Sequence, residues 1–459
     1  MAFEAANPHN EWEEFLRGHP ETAFIDTFMV GISGQLYGKR EPVADIRRIL
    51  NSGVTFSACA AVLDVHGHGT NALGIGGSDG DPDAVGRVIP GTFAPVPWAQ
   101  SPTAQCLLDM RHAETGDQLW FDPRKVLTGV VTRLNANGLY PTVACELEFY
   151  LIDSERTEDG KIRPAKLSRT NGPPRAPANL SVEQLEDYSD FILAIDSAAR
   201  AQGIPASTAV AEYGLGQFEI NLKHVADPLL AADHATLLKR IIRGVARARG
   251  DDVTFMAKPY MDQPGSGMHV HVSLMDKDGR NIFSAANGTD TLRSAVAGLQ
   301  STLSEALGIF AANFSAFRRF KPNNFVPING HWGHNNRSVA FRVPFGDGQS
   351  RRIEHRVAGA DASPHLALAA ILAGIDHGVM NKLVPTEPID GKNADSIPVP
   401  TKTAKMAPHF LASLDALAQA KILKNYFPPD FPKLYREIKL GEFTELFSEP
   451  LSREFDYYL

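Results

Sequence analysis

Four short stretches of this chain alternate strictly, and that period confines them to β-strands. They are Glu146-Leu147-Glu148, Gln217-Phe218-Glu219, Met268-His269-Val270-His271-Val272-Ser273 and Arg352-Ile353-Glu354-His355-Arg356. Successive side chains of a strand point to opposite faces. Glu146 and Glu148 therefore share a face, as do His269, His271 and Ser273, and as do Arg352, Glu354 and Arg356. Leu147, Phe218, Val270, Val272 and Ile353 are left to pack into a core. One such stretch describes any half-buried strand that meets water. Four together predict a sheet that holds divalent metals and a polyanion. Their flanks, Gly214-Leu215-Gly216 and Pro264-Gly265-Ser266-Gly267, suggest close backbone approach to a ligand.

The rest of the chain sets bounds. Its 459 residues can bury a large core and make more than one domain. The net charge of -8 argues against nucleic acid or an anionic membrane as the main partner. Met1 to Phe15 is acidic and polar, unlike a secretory or transit leader. The longest apolar stretch, Leu366 to Ile375, is too short to span a bilayer. Ser363-Pro364 before it reads as N-cap and first helical residue, so a buried helix is expected there. Cys59, Cys106 and Cys145 form no CxxC pair, which fits a reducing cytoplasm.

Up to about residue 115 the chain reads as a small β-rich module. Ala23 to Val43 predicts a strand, a glycine-punctuated loop and a basic turn at Gly38-Lys39-Arg40. Val54 to Asp64 is apolar, His66 to Asp83 a long loop, and Gly91 to Asp109 strand-like again. Asp122-Pro123 then opens a helix that stops at Asn137-Gly138. Ser154 to Leu180 is a polar surface excursion. Helical periodicity follows over Val182 to Gln202, Ala231 to Arg249 and Leu292 to Phe310. Pro385 to Pro400 is loop-like, and the tail from His409 alternates helix and turn. The fold class is α+β, divided into residues 1–115 and 116–459. No G-x-G-x-x-G follows a strand and no Walker sequence is present.

Glu146, Glu148, Glu212, Glu219, His269 and Glu354 form a plausible ligand set. It is too rich in oxygen for structural zinc and suits two or more Mg²⁺ or Mn²⁺ ions. Arg318, Arg319, Arg337, Arg342, Arg351, Arg352 and Arg356 crowd the following stretch. Guanidinium groups bind phosphate or carboxylate in bidentate fashion. Metals with several arginines equip a site for phosphoryl transfer, where positioning and charge neutralisation do most of the catalysis.

These motifs, in this order, resemble the glutamine synthetase family over nearly the whole chain. They are Glu146-Leu147-Glu148-Phe149, Glu212 with Gly216-Gln217-Phe218-Glu219, Lys258-Pro259, and Gly265 to Leu274. Asn336-Arg337-Ser338, Arg342-Val343-Pro344 and Arg352 to Arg356 complete them. The resemblance implies a small β-grasp-like N-terminal domain and a catalytic domain whose curved antiparallel sheet forms half of a funnel. It implies active sites between subunits of a ring, commonly a double-ring dodecamer. Carried over by position, Glu148, Glu212 and Glu219 would hold one metal, and Glu146, His269 and Glu354 the other. His271, Ser273, Arg342 and Arg352 would serve ATP, and Arg337 the phosphoryl group in flight. Gly265, Arg319 and Arg356 would hold glutamate. The implied reaction forms γ-glutamyl phosphate, which a nitrogen nucleophile then attacks.

The departures matter as much. In ammonia-using members a flap glutamate closes the site and helps deprotonate ammonium. The matching flap is Lys321 to Pro327, and Phe325 falls at the glutamate position. Pro264 replaces the usual asparagine before the glutamate-site glycine, and no Tyr lies between Tyr260 and Tyr426 to match the adenylylated tyrosine. With Trp332-Gly333 before Asn336-Arg337, these features resemble the γ-glutamylpolyamine and γ-glutamylamide synthetase branch. The expectation is ligation of the glutamate γ-carboxylate to a polyamine or small alkyl monoamine, with Phe325 and Trp332 in the amine pocket. Asp64, and after it His334, are the candidate bases. An ammonia-using enzyme is the alternative. A catalytically silent regulator would be expected to have lost metal ligands, and all six are present.

Overall fold

Two sheets carry the fold in the computed structural model, which describes residues 7–448 apart from 169, 171, 173, 175–178, 286–287, 323–324, 347 and 399–405. The first is built of β1 (Phe24–Val30), β2 (Leu36–Pro42), β3 (Val54–Ser57), β4 (Asp83–Val88), β5 (Ala94–Pro95) and β6 (Thr103–His112). Its order is β2-β1-β6-β4-β3, with β5 also paired to β6. β1 and β6 run parallel, and the remaining pairs antiparallel. The basic turn expected at Gly38-Lys39-Arg40 lies instead inside β2. Arg40 sits opposite Asp26 on β1 and its Nε donates to that carboxylate at 2.7 Å, so the charges stitch a hairpin. The reversal comes earlier, at Gly34, whose φ of +81° only glycine adopts freely. The polar N-terminal stretch makes a helix, Pro8–Gly18, capped by Asn7 and anchored by buried Trp12.

The second sheet contains β7 (Tyr140–Asp153), β8 (Ala206–Ala211), β9 (Gln217–Leu222), β10 (Asp251–Thr254), β11 (Met268–Met275), β12 (Trp332–His334), β13 (Phe341–Val343) and β14 (Ile353–His355). It is a curled sheet of order β12-β13-β14-β11-β7-β9-β8, with β10 also on β7. It is antiparallel except at its edge, where β12 runs parallel to β13. Each of the four alternating stretches falls on one of its strands.

Helices cover the other side. Asp122 caps Pro123–Ala136 by accepting from the Arg124 N–H, and Gly138 ends it at φ +76°. The periodic run from Val182 is broken in two, Val182–Asp187 and Ser189–Ala201, because Tyr188 turns inward and donates to the Ala165 carbonyl at 2.8 Å. Helix Pro364–Met380 is buried nearly all round, as expected. It crosses Gly288–Phe310 through glycines: a Cβ on Gly298 would lie 2.0 Å from the Gly374 carbonyl. One hydrophobic core runs through both sheets, from Ile25 to Leu147 and on to Leu372. The stretches 154–180, 321–327 and 385–400 fall partly, and the tail beyond 448 wholly, outside the described residues. No helix among the described residues is long and apolar enough to cross a membrane.

Candidate active site

The ionisable face of the second sheet is assembled by strand register. His269 pairs with Glu146, Glu148 with Glu219, and Glu354 with both His271 and Arg342. These side chains line one cavity of about 860 Å³. All six candidate ligands line it: Glu146, Glu148, Glu212, Glu219, His269 and Glu354. So do His271, Gly265, Arg319, Arg337, Arg342, Arg352, Arg356 and Phe325.

Polar contacts fix these groups. Glu146 reaches His271 Nε2 at 2.8 Å and His269 Nδ1 at 3.2 Å. Arg352 Nε donates to His271 Nδ1 at 3.0 Å, which leaves the imidazole proton on Nε2, facing Glu146. Glu354 is held between Arg342, at 2.6 Å, and Arg356. Glu148 accepts the Gly267 N–H at 2.7 Å. Glu212 follows β8, and its N–H donates to the Gln217 carbonyl across a tight turn. That turn needs Gly214 because a Cβ there would sit 2.2 Å from the Tyr150 hydroxyl. Within this chain its close approach is to Tyr150.

Burial and charge separate the carboxylates into two groups. Burial acts upward on Glu146 and Glu354, but the histidines bring the first well below its usual range, and Arg356 with the histidines brings the second to about 2. Glu212 and Glu219 are compensated less, by Arg337 and Arg356 at the first and by Arg356 at the second. Burial, then neighbouring carboxylates, push Glu212 up to about 7 and Glu219 up to about 9. Crowded carboxylates of this kind call for cations. Ligand atoms of Glu146, Glu219 and His269 lie within 4.8 Å of one another, and so do those of Glu146, His271 and Glu354. This oxygen-rich set with imidazole fits hard divalent cations such as Mg²⁺ or Mn²⁺. The grouping differs from the expectation: Glu146 is common to both clusters, and His271 joins one of them.

Arg319 is buried against backbone. Its Nη1 donates to the Val357 carbonyl at 2.8 Å, while its Nε has no partner. Room for it depends on glycine, since a Cβ on Gly267 would meet Arg319 Nη2 at 2.5 Å and one on Gly265 would meet Arg319 Cγ at 2.8 Å. Burial lowers its pKa to about 10. The Nε atoms of Arg342 and Arg356 are likewise buried and unpartnered.

Four candidates lie elsewhere among the described residues. Ser273 has the right parity, but its Oγ donates to the Arg351 carbonyl at 3.1 Å and it does not line the cavity. Trp332 packs into the core and donates its indole N–H to the Thr386 carbonyl at 2.7 Å, so within this chain it lines no amine pocket. His334 is exposed and paired with Asp390 at 3.0 Å. Asp64 is buried beside the first sheet, where its Oδ1 accepts the His66 and His68 N–H groups at 2.9 Å, the geometry of a turn former. The cavity also has apolar lining that no periodicity disclosed: Leu180, Val210, Tyr213, Val326 and Phe345.

Comparison with known proteins identifies the family and the fold. The family of the glutamine synthetase catalytic domain matches residues 121–458. Gamma-glutamylputrescine synthetase PuuA of Escherichia coli (strain K12) is 36% identical over 439 residues, covering 95% of this chain and 91% of that protein. Glutamate–isopropylamine ligase of Pseudomonas sp is 31% identical over 436 residues, 92% of each chain. The solved structure of apo GmaS without ligand shares the fold, with a TM-score of 0.81 and 23% identity over 96% of this chain and 97% of that one. The family match over residues 121–458 and the near end-to-end similarity to these relatives lead to one conclusion: this chain belongs to the glutamine synthetase family.

Proposed function

We propose that this glutamate–amine ligase takes an alkyl amine in preference to ammonium. ATP phosphorylates the glutamate γ-carboxylate and ADP leaves. The amine nitrogen attacks the γ-carbonyl carbon of the acyl phosphate, phosphate departs, and the nitrogen loses a proton. Arg319, Arg356 and Gly265 are assigned to glutamate, and His271, Arg342 and Arg352 to the nucleotide. Arg337 is assigned to the phosphoryl group in transfer. Divalent cations held by Glu146, Glu148, Glu212, Glu219, His269 and Glu354 would offset charge on the phosphates.

One observation carries the preference. Phe325, 60% exposed, lines the cavity at the position where ammonia users carry the flap carboxylate. An aromatic ring cannot take the proton that a flap carboxylate would accept, and it offers ammonium no full negative charge, but it can cover an alkyl group. Two or three buried methylenes, at about 0.8 kcal/mol each, give roughly ten- to a hundred-fold discrimination.

The test is competition between ammonium and methylamine, isopropylamine or putrescine at equal free-base concentration, with products identified by mass. Glutamine as the main product would leave an ammonia-using enzyme. Phe325→Glu should move the ratio toward glutamine. The proposal also includes the division at residues 115/116, a reducing cytoplasmic location and a double-ring dodecamer. Asp64 lies outside the cavity of its own chain, so it could act as base only from a neighbouring copy. Light scattering of the purified enzyme tests the ring.

A further inference from the structure

The apolar groups around the cavity are not spread evenly. Pro344 and Phe345 follow β13, on the side of the arginines assigned to the nucleotide. Leu180, Val210 and Tyr213 gather at the opposite edge, on and beside β8. The Leu180 N–H donates to the Ala211 carbonyl at 2.9 Å, which pins Leu180 next to the Glu212-Tyr213 step. That is the half of the cavity holding Glu212, Glu148 and Glu219, away from Arg342 and Arg352.

Leu180 is doubly unfavourable as it stands. It is 69% exposed, and its φ of +60° lies in the left-handed region that a branched aliphatic residue avoids. Among the described residues the apolar side chains with positive φ are Leu73, Leu180 and Phe325. Two of these three line this one cavity. Strain and exposed apolar surface at a binding cavity are held where a ligand recovers them. A charged or strongly polar ligand would recover neither. A hydrocarbon chain laid against Leu180 and Tyr213 would recover the exposure.

We infer that Leu180, supported by Tyr213, is a specificity-determining residue: it forms the wall along which the alkyl chain of the amine lies. This rests on the amine reading and goes beyond it, because it places length selection at the β8 edge as well as on the flap. Selection is by hydrocarbon area. Every carboxylate among the described residues lining the cavity belongs to the metal-ligand set, so a second ammonium group adds little.

The experiment measures kcat/KM for ammonium, methylamine, propylamine, butylamine and putrescine on the full-length enzyme, with saturating ATP and glutamate. In the wild type it should rise with chain length. In Leu180→Ala the butylamine to methylamine ratio should fall by roughly tenfold, while the KM values for ATP and glutamate stay in place. Leu180→Glu should raise the putrescine to butylamine ratio by roughly fivefold, the scale of one partly exposed ion pair. Leu180→Met should keep the wild-type ratios. An equal loss for every nucleophile, ammonium included, would assign Leu180 a structural role and overturn the inference. So would a length dependence unchanged in both Leu180→Ala and Leu180→Glu. A wild type that prefers ammonium defeats the amine reading itself. A wild type that prefers amines, with Leu180 variants that do not alter the preference, defeats only this inference.

Discussion

Replacing Arg319 by lysine isolates what a planar guanidinium contributes to holding glutamate. One corner of the group is already committed, with Nη1 donating to Val357 at 2.8 Å and to Ala358 at 3.3 Å. The other edge is not. Nε has no partner, and Nη2 makes only a 3.4 Å contact to the Arg356 carbonyl. The Nε and Nη2 pair is the edge that binds a carboxylate in bidentate fashion. Lysine keeps the charge but offers one ammonium, which the Val357 carbonyl will compete for. One charge-assisted hydrogen bond to glutamate is therefore lost, worth about 1.5–3 kcal/mol. Since 1.4 kcal/mol is about tenfold in affinity, the glutamate KM should rise roughly 10- to 150-fold.

The assay is ADP release with glutamate varied at saturating ATP and amine, then with ATP varied at saturating glutamate. Near-native melting in a thermal scan establishes that the variant is folded. A rise in the ATP KM with the glutamate KM within about threefold of wild type would refute the assignment.

Glu148→Ala and His269→Ala should each abolish ATP-dependent ligation while the protein stays folded; near-native turnover in either would overturn the metal assignment. Gly298→Ala forces a Cβ to 2.0 Å from the Gly374 carbonyl and 2.6 Å from the Gly378 N–H, with backbone on both sides. It should destabilise the helix pair by about 3 kcal/mol, seen as a lower denaturation midpoint, with kcat per folded molecule unchanged. An unchanged midpoint would mean that the helices separate freely.

The alternation of the four stretches was sufficient to place them on strands, because side-chain parity is local. It could not say which strand lies beside which. Glu148 faces Glu219 because β7 pairs with β9, a contact across some seventy residues that no period encodes. Parity also misled at the strand end, where Ser273 points as expected but finds a carbonyl of the chain passing over it. Trp332 shows a further limit. Proximity in sequence to Arg337 says nothing of direction, and the short β12 turns the indole toward Thr386. Tyr188 breaks a periodic helix for a buried hydrogen bond to a residue outside it. Leu180 gave no signal, since its importance lies in a φ value and an exposure, and neither is written in residue type.

The uneven compensation of the carboxylates has a consequence that titration can reach. Glu354 and Glu146 are balanced by arginines and histidines of the same sheet, so they stay ionised in the free protein. Glu212 and Glu219 are balanced by protons, with pKa values of about 7 and about 9 against an ordinary 4.5. At pH 7.5 Glu219 is mostly protonated and Glu212 partly so. A divalent cation needs them ionised, so its binding must expel roughly one proton per chain. The sign follows directly: affinity should strengthen as pH rises from 7 to 9, by about tenfold per unit for each proton released, and level off above 9. Calorimetric titration of Mg²⁺ or Mn²⁺ in buffers of different ionisation enthalpy counts the protons. Tight binding at pH 7.5 with no proton release would mean that Glu219 is already ionised, and that the cations are held without this half of the cavity.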